Sequence, residues 1–316
     1  MIISDFLVET KYGYYCPYGD FYIDPQHPVE KAVISHAHGD HAISGNYHVY
    51  STEATWLFMQ ARYGKKLSYT TPHLKEYHQS FKMGAVELCF VSAGHMLGSA
   101  QILMCYKGVS YLYTGDYKLS RDKSCESLEA CRADVLITET TFARPEVMHP
   151  DPKEEILKLK DQQSPILLGC YALGKAQSLT ALLNEYCPEL EVFVHRSMEK
   201  FHAIYQKKGF VPLHYKPYGR REFREGNHQK VYLVPPMVFR SFSRAYDFIR
   251  SFASGWERLQ EPNGIPLYIS DHVDWPQLIQ YIETVDPREI WTVHGEGSIL
   301  KEHFASKMKV RGLLKQ

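Results

Sequence analysis

The sequence predicts an α/β protein in which a strand-rich domain, made of both ends of the chain, is interrupted by an inserted α/β domain. Three observations support this fold class. A His-rich loop follows a strand near the N-terminus, strands and helices begin to alternate near residue 150, and the first pattern returns near residue 266. We therefore assign residues 1–145 and 266–316 to one domain and residues 146–265 to the insertion.

The composition is that of an ordinary globular protein, with 44% hydrophobic and 23% charged residues. The formal net charge is zero, so contact with nucleic acid would require a local basic patch. Seven cysteines without a C-x-x-C pair favour reduced thiols and a cytoplasmic location. The N-terminal residues lack a signal-peptide pattern and no apolar stretch is long enough to cross a bilayer, so we expect no membrane association.

The first 140 residues are rich in predicted strands. A buried strand covers residues 31–35, a half-buried strand covers residues 86–91, and another strand covers residues 134–138. Residues 101–106 and 108–113 predict a hairpin that turns at Lys107-Gly108. Each strand borders a polar loop that carries His or Asp, which is how a sheet presents ligands at one edge.

Alternating elements follow in the predicted insertion and favour a parallel sheet. We predict strands at 165–169 and 191–194, helices at 175–186 and 198–207, a loop at 209–230, a strand at 230–234, a helix near 241–251 and a turn at 262–264. The returning C-terminal part predicts a strand at 266–269, a helix capped by Asp274, a strand at 290–293 and a helix at 298–308.

The most informative motif is His36-Ala37-His38-Gly39-Asp40-His41, directly after the first buried strand. His36 and His38 can turn toward one metal ion, while Asp40 and His41 can turn toward a second. Imidazole and carboxylate ligands suit Zn²⁺, and carboxylate-bearing sites also admit Mn²⁺. The alternative is a surface loop that is His-rich by chance, since the chain has 16 His.

Three further residues complete this pattern. His95, in a loop of small residues, would be the third ligand of the first ion. His294, at the end of a predicted strand, would join Asp40 and His41 on the second ion. Asp116 follows Gly115 and has two oxygens, so it can bridge both ions; the alternative is an ordinary turn aspartate.

Together these motifs resemble the ligand motifs of the metallo-β-lactamase superfamily. Further segments resemble the additional motifs of its β-CASP nuclease branch: Glu139 with its neighbours, residues 171–177, residues 271–274 and residues 293–296. The resemblance implies an αββα metallo-β-lactamase fold interrupted by an inserted β-CASP domain. It is closest to bacterial ligase-associated DNA exonucleases. Ser270-Asp271 replaces the Ser-Ala of many RNA-processing members, and the insertion is shorter than in eukaryotic cleavage factors, which disfavours a messenger-RNA endonuclease.

The resemblance also implies roles for individual residues. His272 would be the general acid, and Glu139 would hold it in the required tautomer; with Asp40 and Asp116 these two form the predicted catalytic group. Asp24 would fix the ring of a ligand histidine, with Asp20 as the competing candidate. Asp271 or Glu296 could also orient a ring nitrogen.

Substrate contacts are predicted from charge and helix position. Lys175, at a helix N-terminus, and Ser270 are predicted to contact a substrate phosphate; a solvent-facing helix start is the alternative for Lys175. Basic residues mixed with aromatic residues between 195 and 230 fit a bound single strand, although such a run can also be a solvated face. The basic residues are Arg196, Lys200, Lys207, Lys208, Lys216, Arg220, Arg221, Arg224 and Lys230, and the aromatic residues are Tyr205, Phe210, Tyr215, Tyr218 and Phe223.

The sequence thus predicts a zinc-dependent phosphodiesterase, a single-stranded DNA exonuclease of DNA repair with a DNA ligase or helicase as a partner. An RNA-processing nuclease of the same branch is the first alternative, and a small-molecule metallo-hydrolase is the second. A scaffold without activity would be expected to lack ligands, and the sequence lacks none of them.

Overall fold

The computed structural model describes residues 1–225, 229–242, 248–260, 264–294 and 297–315. The chain divides into two compact units. The first contains Met1–Arg121, Cys125–Met148 and the residues from His272 onward, so it is built from both ends of the chain. The second contains Asp122–Ser124 and His149–Asp271. The chain passes from the second unit back to the first at the peptide bond between Asp271 and His272.

Strands dominate the N-terminal part of the first unit, which consists of β1 (Val8–Thr10), β2 (Gly13–Cys16), β3 (Phe21–Ile23), β4 (Lys31–Val33), β5 (His48–Ser51), α1 (Glu53–Tyr63), β6 (Thr71–Leu74), β7 (Phe81–Met83), β8 (Val86–Ser92), β9 (Ala100–Tyr106), β10 (Val109–Tyr113) and β11 (Val135–Glu139). The second unit contributes α2 (Pro152–Leu157), β12 (Ile166–Gly169), α3 (Lys175–Tyr186), β13 (Glu191–Val194), α4 (Arg196–Lys208), β14 (Lys216–Pro217), α5 (Arg220–Arg224), β15 (Lys230–Val234), α6 (Pro236–Ser241) and β16 (Ile249–Phe252). The first unit ends with α7 (Trp275–Val285), β17 (Glu289–Val293), α8 (Ser298–His303), β18 (Lys309–Gly312) and β19 (Leu314–Lys315). Short 3-10 helices cover Gly64–Leu67 and Glu257–Leu259.

The first unit has two seven-stranded sheets, with strand orders β19-β1-β2-β3-β4-β5-β6 and β18-β17-β11-β10-β9-β8-β7. Their inner faces share one apolar core that includes Phe21 from the first sheet and Phe90 from the second. Helix α1 covers the outer face of the first sheet through Trp56 and Met59. Helices α7 and α8 cover the outer face of the second sheet. The unit therefore has four layers in the order helix, sheet, sheet, helix.

Strand β11 is buried on both faces, which explains why its sequence is continuously apolar. Val135 and Ile137 pack into the core between the two sheets, whereas Leu136 packs into the core under α7 and α8. Successive side chains point to opposite faces of a sheet, so a strand covered on both faces needs apolar residues at every position. Both neighbours of β11, β10 and β17, run parallel to it.

The second unit is built on a five-stranded parallel sheet with the order β14-β13-β15-β12-β16. Leu179 and Leu183 of α3 pack with one face of the sheet. Phe223 of α5 and Phe239 of α6 pack with the other face. This unit is therefore a three-layer arrangement of helices on both sides of a parallel sheet.

Several predicted elements are confirmed. The helix predicted at 175–186 is α3, and the hairpin of β9 and β10 turns at Lys107 and Gly108, whose φ angles are 48° and 74°. Positive φ at both turn positions matches the twist of the flanking strands.

Other predicted elements were wrong. Of the helix predicted near 241–251, Ser241 ends α6 and residues 243–247 lie outside the described residues. Residues 249–252 form β16 instead, because they pair in parallel with β12 and long-range pairing overrides local preference. In place of the predicted strand at 266–269, Leu267 forms a single bridge to Ala253. Helix α8 ends at His303, five residues earlier than predicted. The loop predicted at 209–230 contains β14 and α5. Residues Pro262 and Asn263 of the predicted turn lie outside the described residues.

Among the described residues, no helix combines the length and the apolar character needed to cross a membrane.

Candidate metal centre

Three predicted site residues follow neighbouring strands of one sheet. Glu139 ends β11, His294 follows β17, and Asp116 lies three residues after β10. The register pairs Tyr113 with Ile137 and Glu139 with Val293. Because the carboxyl ends of parallel strands meet at the same edge of a sheet, these side chains are delivered to one place.

The His-rich motif follows a strand of the other sheet of the first unit. Residues 36–41 form the loop after β4, and the backbone carbonyl of Ser35 accepts the N–H of Ala100 at 2.8 Å. His95 lies in the loop between β8 and β9, where Ser99 Oγ accepts its backbone N–H at 3.1 Å. Gly94 before it has φ of 68°, and a Cβ there would lie 2.6 Å from the carbonyl oxygen of Lys118. This close approach requires glycine.

The first group of donor atoms consists of His36, His38, His95 and Asp116, with all ligating atoms within 4.8 Å of one another. His38 Nδ1 lies 3.1 Å from both His36 Nε2 and His95 Nε2. Two nitrogens bound to one ion at zinc–nitrogen distances, at a tetrahedral angle, would lie about 3.3 Å apart. The spacing of the three imidazoles therefore fits a single metal ion.

The second group consists of His41, Asp116 and His294. Asp116 Oδ2 lies 3.5 Å from His36 Nε2 and 3.5 Å from His41 Nε2, so this carboxylate belongs to both groups. The sequence predicted such a shared carboxylate. Asp40 lies outside this group: its carboxylate approaches His41 Nε2 only to 3.9 Å, and its side chain is 77% exposed. The role of Asp40 as a ligand stays a prediction.

A third group joins Asp116 to Glu139 and His272. The Glu139 carboxylate is buried and lies 2.9 Å, through Oε2, from His272 Nδ1. The backbone N–H of Tyr117 and the hydroxyl of Thr141 also donate to this carboxylate, at 3.2 Å and 2.5 Å. The Glu139 carboxylate is thus held in place. A proton on Nδ1 of His272, donated to this carboxylate, fixes the tautomer and the direction of the ring.

Asp24 is buried and accepts hydrogen bonds from four donors. Ser35 donates its backbone N–H at 2.8 Å and its hydroxyl at 2.6 Å. Tyr113 donates its hydroxyl at 3.0 Å, and His41 Nδ1 lies 2.9 Å from Asp24 Oδ2. His41 therefore carries a proton on Nδ1, and a metal ion bound at Nε2, which faces Asp116, would replace the second proton of the ring.

The tautomer of His36 is fixed in a similar way, through Ser35. The single proton of the Ser35 hydroxyl is donated to Asp24, so Ser35 Oγ acts as an acceptor toward His36 Nδ1, 3.0 Å away. His36 then carries its proton on Nδ1 and directs the Nε2 lone pair into the centre. One buried carboxylate, acting directly and through one serine, therefore sets the tautomer of a histidine in each donor group.

The titration behaviour agrees with a site arranged for cations. Burial, reinforced by the neighbouring histidines, lowers the pKa of His36 well below its ordinary value. Burial also opposes protonation of His41, but the carboxylates of Asp116 and Asp24 outweigh it and raise the pKa of His41 to about 10. Burial alone would raise the pKa of Asp116, yet the surrounding imidazoles, with His41 foremost, lower it well below its ordinary range. A neutral His36 and an ionised Asp116 are the protonation states that bind metal, whereas His41 must first release its second proton.

Other predicted residues have different surroundings. Asp20, the competing candidate for Asp24, is exposed and paired with Lys31 at 2.9 Å. Glu296 lies outside the described residues. In the second unit, the ammonium of Lys175 is buried; it lies 2.8 Å from Asp271 and donates to the carbonyl of Ile269 at 2.7 Å.

The basic and aromatic stretch is also partly buried. Lys230 is only 4% exposed and donates to the carbonyl of Phe223 at 2.8 Å. Tyr205 and Phe223 belong to the interior of the second unit, whereas Phe210 is 61% exposed. Tyr218 stacks on Tyr232 with ring centroids 4.0 Å apart. Much of the aromatic signal in this stretch therefore reflects core packing.

Sequence reasoning did not identify three residues that the structure brings to the site. Ser35 and Tyr113 hold Asp24, and Thr141 holds Glu139. Ser35 had one usable signal, because it directly precedes the His-rich motif. Tyr113 had no comparable signal in the sequence, because its partner Asp24 is 89 residues away in the chain.

A divalent metal ion fits these residues. The donors are imidazole nitrogens and carboxylate oxygens, hydrogen bonds at Nδ1 turn the Nε2 atoms of His36 and His41 inward, and one ionised carboxylate is shared between two groups. A four-layer unit with this centre defines a protein able to hold metal ions at a sheet edge.

Comparison with known proteins agrees with this class. No family model matches the chain. The chain is 31% identical, over 97% of its length, to a protein of Opitutus terrae named a probable DNA ligase, and the match covers 30% of that protein. It is 26% identical, over 56% of its length, to cleavage and polyadenylation specificity factor 73 of Drosophila melanogaster, covering 32% of that protein. It is 24% identical, over 68% of its length, to an RNase J-like protein of Methanocaldococcus jannaschii, covering 60% of that protein. The chain thus spans less than two thirds of each of these relatives.

A crystal structure of a protein of unknown function from Enterococcus faecalis has the same fold, with a TM-score of 0.60 at 15% identity, over 92% of this chain and 82% of that one. The curated relatives are nucleases of the β-CASP branch of the metallo-β-lactamase superfamily and a ligase-associated protein, which matches the branch that the motifs resemble.

Proposed function

We propose that this chain is a zinc-dependent phosphodiesterase that hydrolyses nucleic acid, acting as a single-stranded DNA exonuclease in DNA repair. The observation that carries the proposal is Asp116, whose carboxylate is common to two metal-type donor groups and to the group that contains His272 and Glu139. Two ions that share a carboxylate, with an imidazole beside them, form an arrangement suited to cleavage of a phosphodiester bond. Under this proposal the first unit is the metallo-β-lactamase domain and the second is the β-CASP insertion.

The proposed ligands are His36, His38 and His95 on one ion, His41 and His294 with Asp40 on the other, and Asp116 on both. Zinc or manganese held there would act as a Lewis acid and lower the pKa of a water to about 7. Asp24 and Ser35 keep His36 and His41 in the tautomers that direct Nε2 inward. They also keep that geometry fixed during turnover, since both are buried.

His272 is the proposed general acid. Glu139 accepts the Nδ1–H of His272 and stabilises the doubly protonated ring. The proton on Nε2 is then available for the 3′-oxygen that leaves when the phosphodiester bond breaks. Ser270, two residues earlier in the chain, is proposed as a contact to a substrate phosphate.

The choice of DNA rests on the relative that is 31% identical over 97% of the chain and is named a probable DNA ligase. The name of this relative also supports a DNA ligase as the partner of the chain. An RNA-processing nuclease is the second candidate, favoured by relatives named endoribonuclease and RNase J-like protein. Exposed basic residues of the second unit, such as Arg221 with a side chain 91% exposed, are proposed to hold the backbone of either polymer.

End-labelled single-stranded DNA and RNA of identical sequence test the proposal, each incubated with the protein and Zn²⁺ or Mn²⁺. We expect DNA to be shortened from one end, so that a ladder of product lengths appears in order. Preferential cutting of RNA would favour the second candidate. No cleavage of either polymer, with turnover of a thioester or lactam, would replace the nuclease by a small-molecule hydrolase.

A further inference from the structure

A buried ion pair lies immediately before the proposed general acid. The Lys175 ammonium is 2.8 Å from the carboxylate of Asp271, and the side chains of the two residues are 3% and 9% exposed. The same ammonium donates to the carbonyl oxygen of Ile269 at 2.7 Å. One lysine at the first turn of α3 therefore binds the chain at two positions of the segment 269–271.

The surroundings fix this lysine. Gly174, before it, has φ of 80° and donates its backbone N–H to Gln177 Oε1 at 2.8 Å, which closes the first turn of α3. Gln177 also donates to the carbonyl of Ala172 at 3.1 Å. The backbone that carries Lys175 is thus hydrogen-bonded on both sides of the helix start.

The residues around His272 are held on both sides along the chain. On the N-terminal side, the Tyr268 N–H donates to the buried carboxylate of Glu155 at 2.7 Å, and Lys175 holds residues 269 and 271. On the C-terminal side, the Val273 N–H donates to the carbonyl of Tyr117 at 3.2 Å. Asp274 caps α7 by accepting the Gln277 N–H at 3.0 Å. His272 is the residue between these two restrained runs.

We propose that Lys175 is a positioning residue for His272, and not a phosphate contact. Consecutive Cα atoms are separated by a fixed distance of about 3.8 Å, so restraining Asp271 limits where the backbone of His272 can lie. Loss of a fraction of an ångström in that placement would disturb the hydrogen bond from His272 Nδ1 to Glu139 and misdirect Nε2. The proposal deepens the proposed function and rests on it for the role of His272.

The Lys175 ammonium and the Asp271 carboxylate are both buried. A buried carboxylate needs a charged partner, and the buried ammonium supplies it. The two residues are therefore expected to act together, so that removing both is less harmful to folding than removing either one.

The test uses four variants of the full chain: Lys175→Met, Lys175→Arg, the double variant Lys175→Met with Asp271→Ala, and the control Lys123→Met. Lys123 forms an ion pair with Glu185 at 2.6 Å and is also in the second unit, but its side chain is 53% exposed. The measurements are kcat, KM, zinc content, circular dichroism and hydrogen exchange of peptides that cover residues 268–274. The double variant keeps the test valid if Lys175→Met fails to fold, since no lone charge is left buried.

We expect the double variant to keep its fold and its zinc, to lose about 100-fold in kcat, as when a general acid is lost, and to change little in KM. Peptides covering 268–274 should exchange faster, Lys175→Arg should restore most of kcat, and Lys123→Met should behave as the wild type. A phosphate contact would instead raise KM and reduce the salt dependence of binding with kcat preserved, and that result would overturn the inference. If the wild-type protein cleaves no nucleic acid, the proposed function fails, and hydrogen exchange alone then decides: unchanged exchange at 268–274 would overturn the anchoring role as well.

Discussion

The Ser35 hydroxyl donates a hydrogen bond of 2.6 Å to Oδ2 of Asp24 in the interior of the first unit. Because the hydroxyl has a single proton, it must act as an acceptor toward His36 Nδ1. Asp24 also accepts from His41. The two proposed metal positions are therefore linked by one carboxylate and one serine, outside the set of direct ligands.

Replacing this serine should weaken both positions. In Ser35→Ala, His36 loses the acceptor that fixes its tautomer and Asp24 loses a donor, so we expect the affinity for zinc to fall by about 10- to 100-fold. Titration with a competing zinc chelator measures this. Ser110→Ala is the matched control, because Ser110 Oγ donates to Asp134 at 3.0 Å, away from the donor groups. Equal affinities in Ser35→Ala and wild type would refute the orienting role.

Asp116→Asn should reduce the binding of both ions. An amide has no negative charge and its oxygen is a weaker ligand, while the wild-type carboxylate lies 3.5 Å from histidines of both groups. We expect fewer than two zinc ions per chain by elemental analysis, and little activity. Asp20→Asn, at an exposed carboxylate that pairs with Lys31, should retain the wild-type zinc content. Full zinc occupancy with a normal rate in Asp116→Asn would remove the bridging role.

His272→Ala should separate metal binding from turnover. We expect both ions to remain, because the proposed ligands are untouched, and kcat to fall about 10²- to 10⁴-fold with the loss of a general acid. Glu139→Gln should give a smaller loss, since the amide can still hydrogen-bond His272 but cannot stabilise its charged form. His214→Ala, at an exposed histidine of the second unit, is the control. Parallel losses of zinc and activity in His272→Ala would make this residue structural.

His202 should make the second unit sensitive to acid. Burial lowers the pKa of His202 from 6.5 to about 4, and its ring nitrogens lie within hydrogen-bonding distance of Gln177, Thr180 and the carbonyl of Met198. The unfolded chain takes up a proton near pH 6.5, whereas the folded chain does so only near pH 4. Protonation therefore favours unfolding as the pH falls through this interval, by about 3 kcal/mol in total.

Urea denaturation at pH 7.5 and at pH 4.5 measures this effect on the free energy of unfolding. His202→Gln, which keeps an amide able to form hydrogen bonds, should lose less stability between the two pH values than wild type. The same loss in both proteins would show that His202 does not contribute to the pH dependence.

Local patterns were sufficient for some elements. The amphipathic run at 175–186 and the hairpin at Lys107-Gly108 were predicted correctly, because their signals lie within a few residues of one another. The pattern failed at Ile249–Phe252, which is a strand because β12 lies beside it. Pairing with a strand much earlier in the chain leaves no mark on local periodicity.

The features of the site also divide into those predicted from local sequence and those that depend on tertiary contacts. The sequence by itself predicted the donor residues, because three imidazoles within six positions, with isolated His and Asp residues after strands, form a pattern typical of a metal site. Only the tertiary structure decided how they are held: Tyr113 and Ser35 hydrogen-bond to Asp24, and Thr141 hydrogen-bonds to Glu139. It also decided that Lys175 is buried against Asp271. The physical reason is that tautomer, burial and charge pairing depend on neighbours distant in the chain, and these are brought together only when the sheets pack.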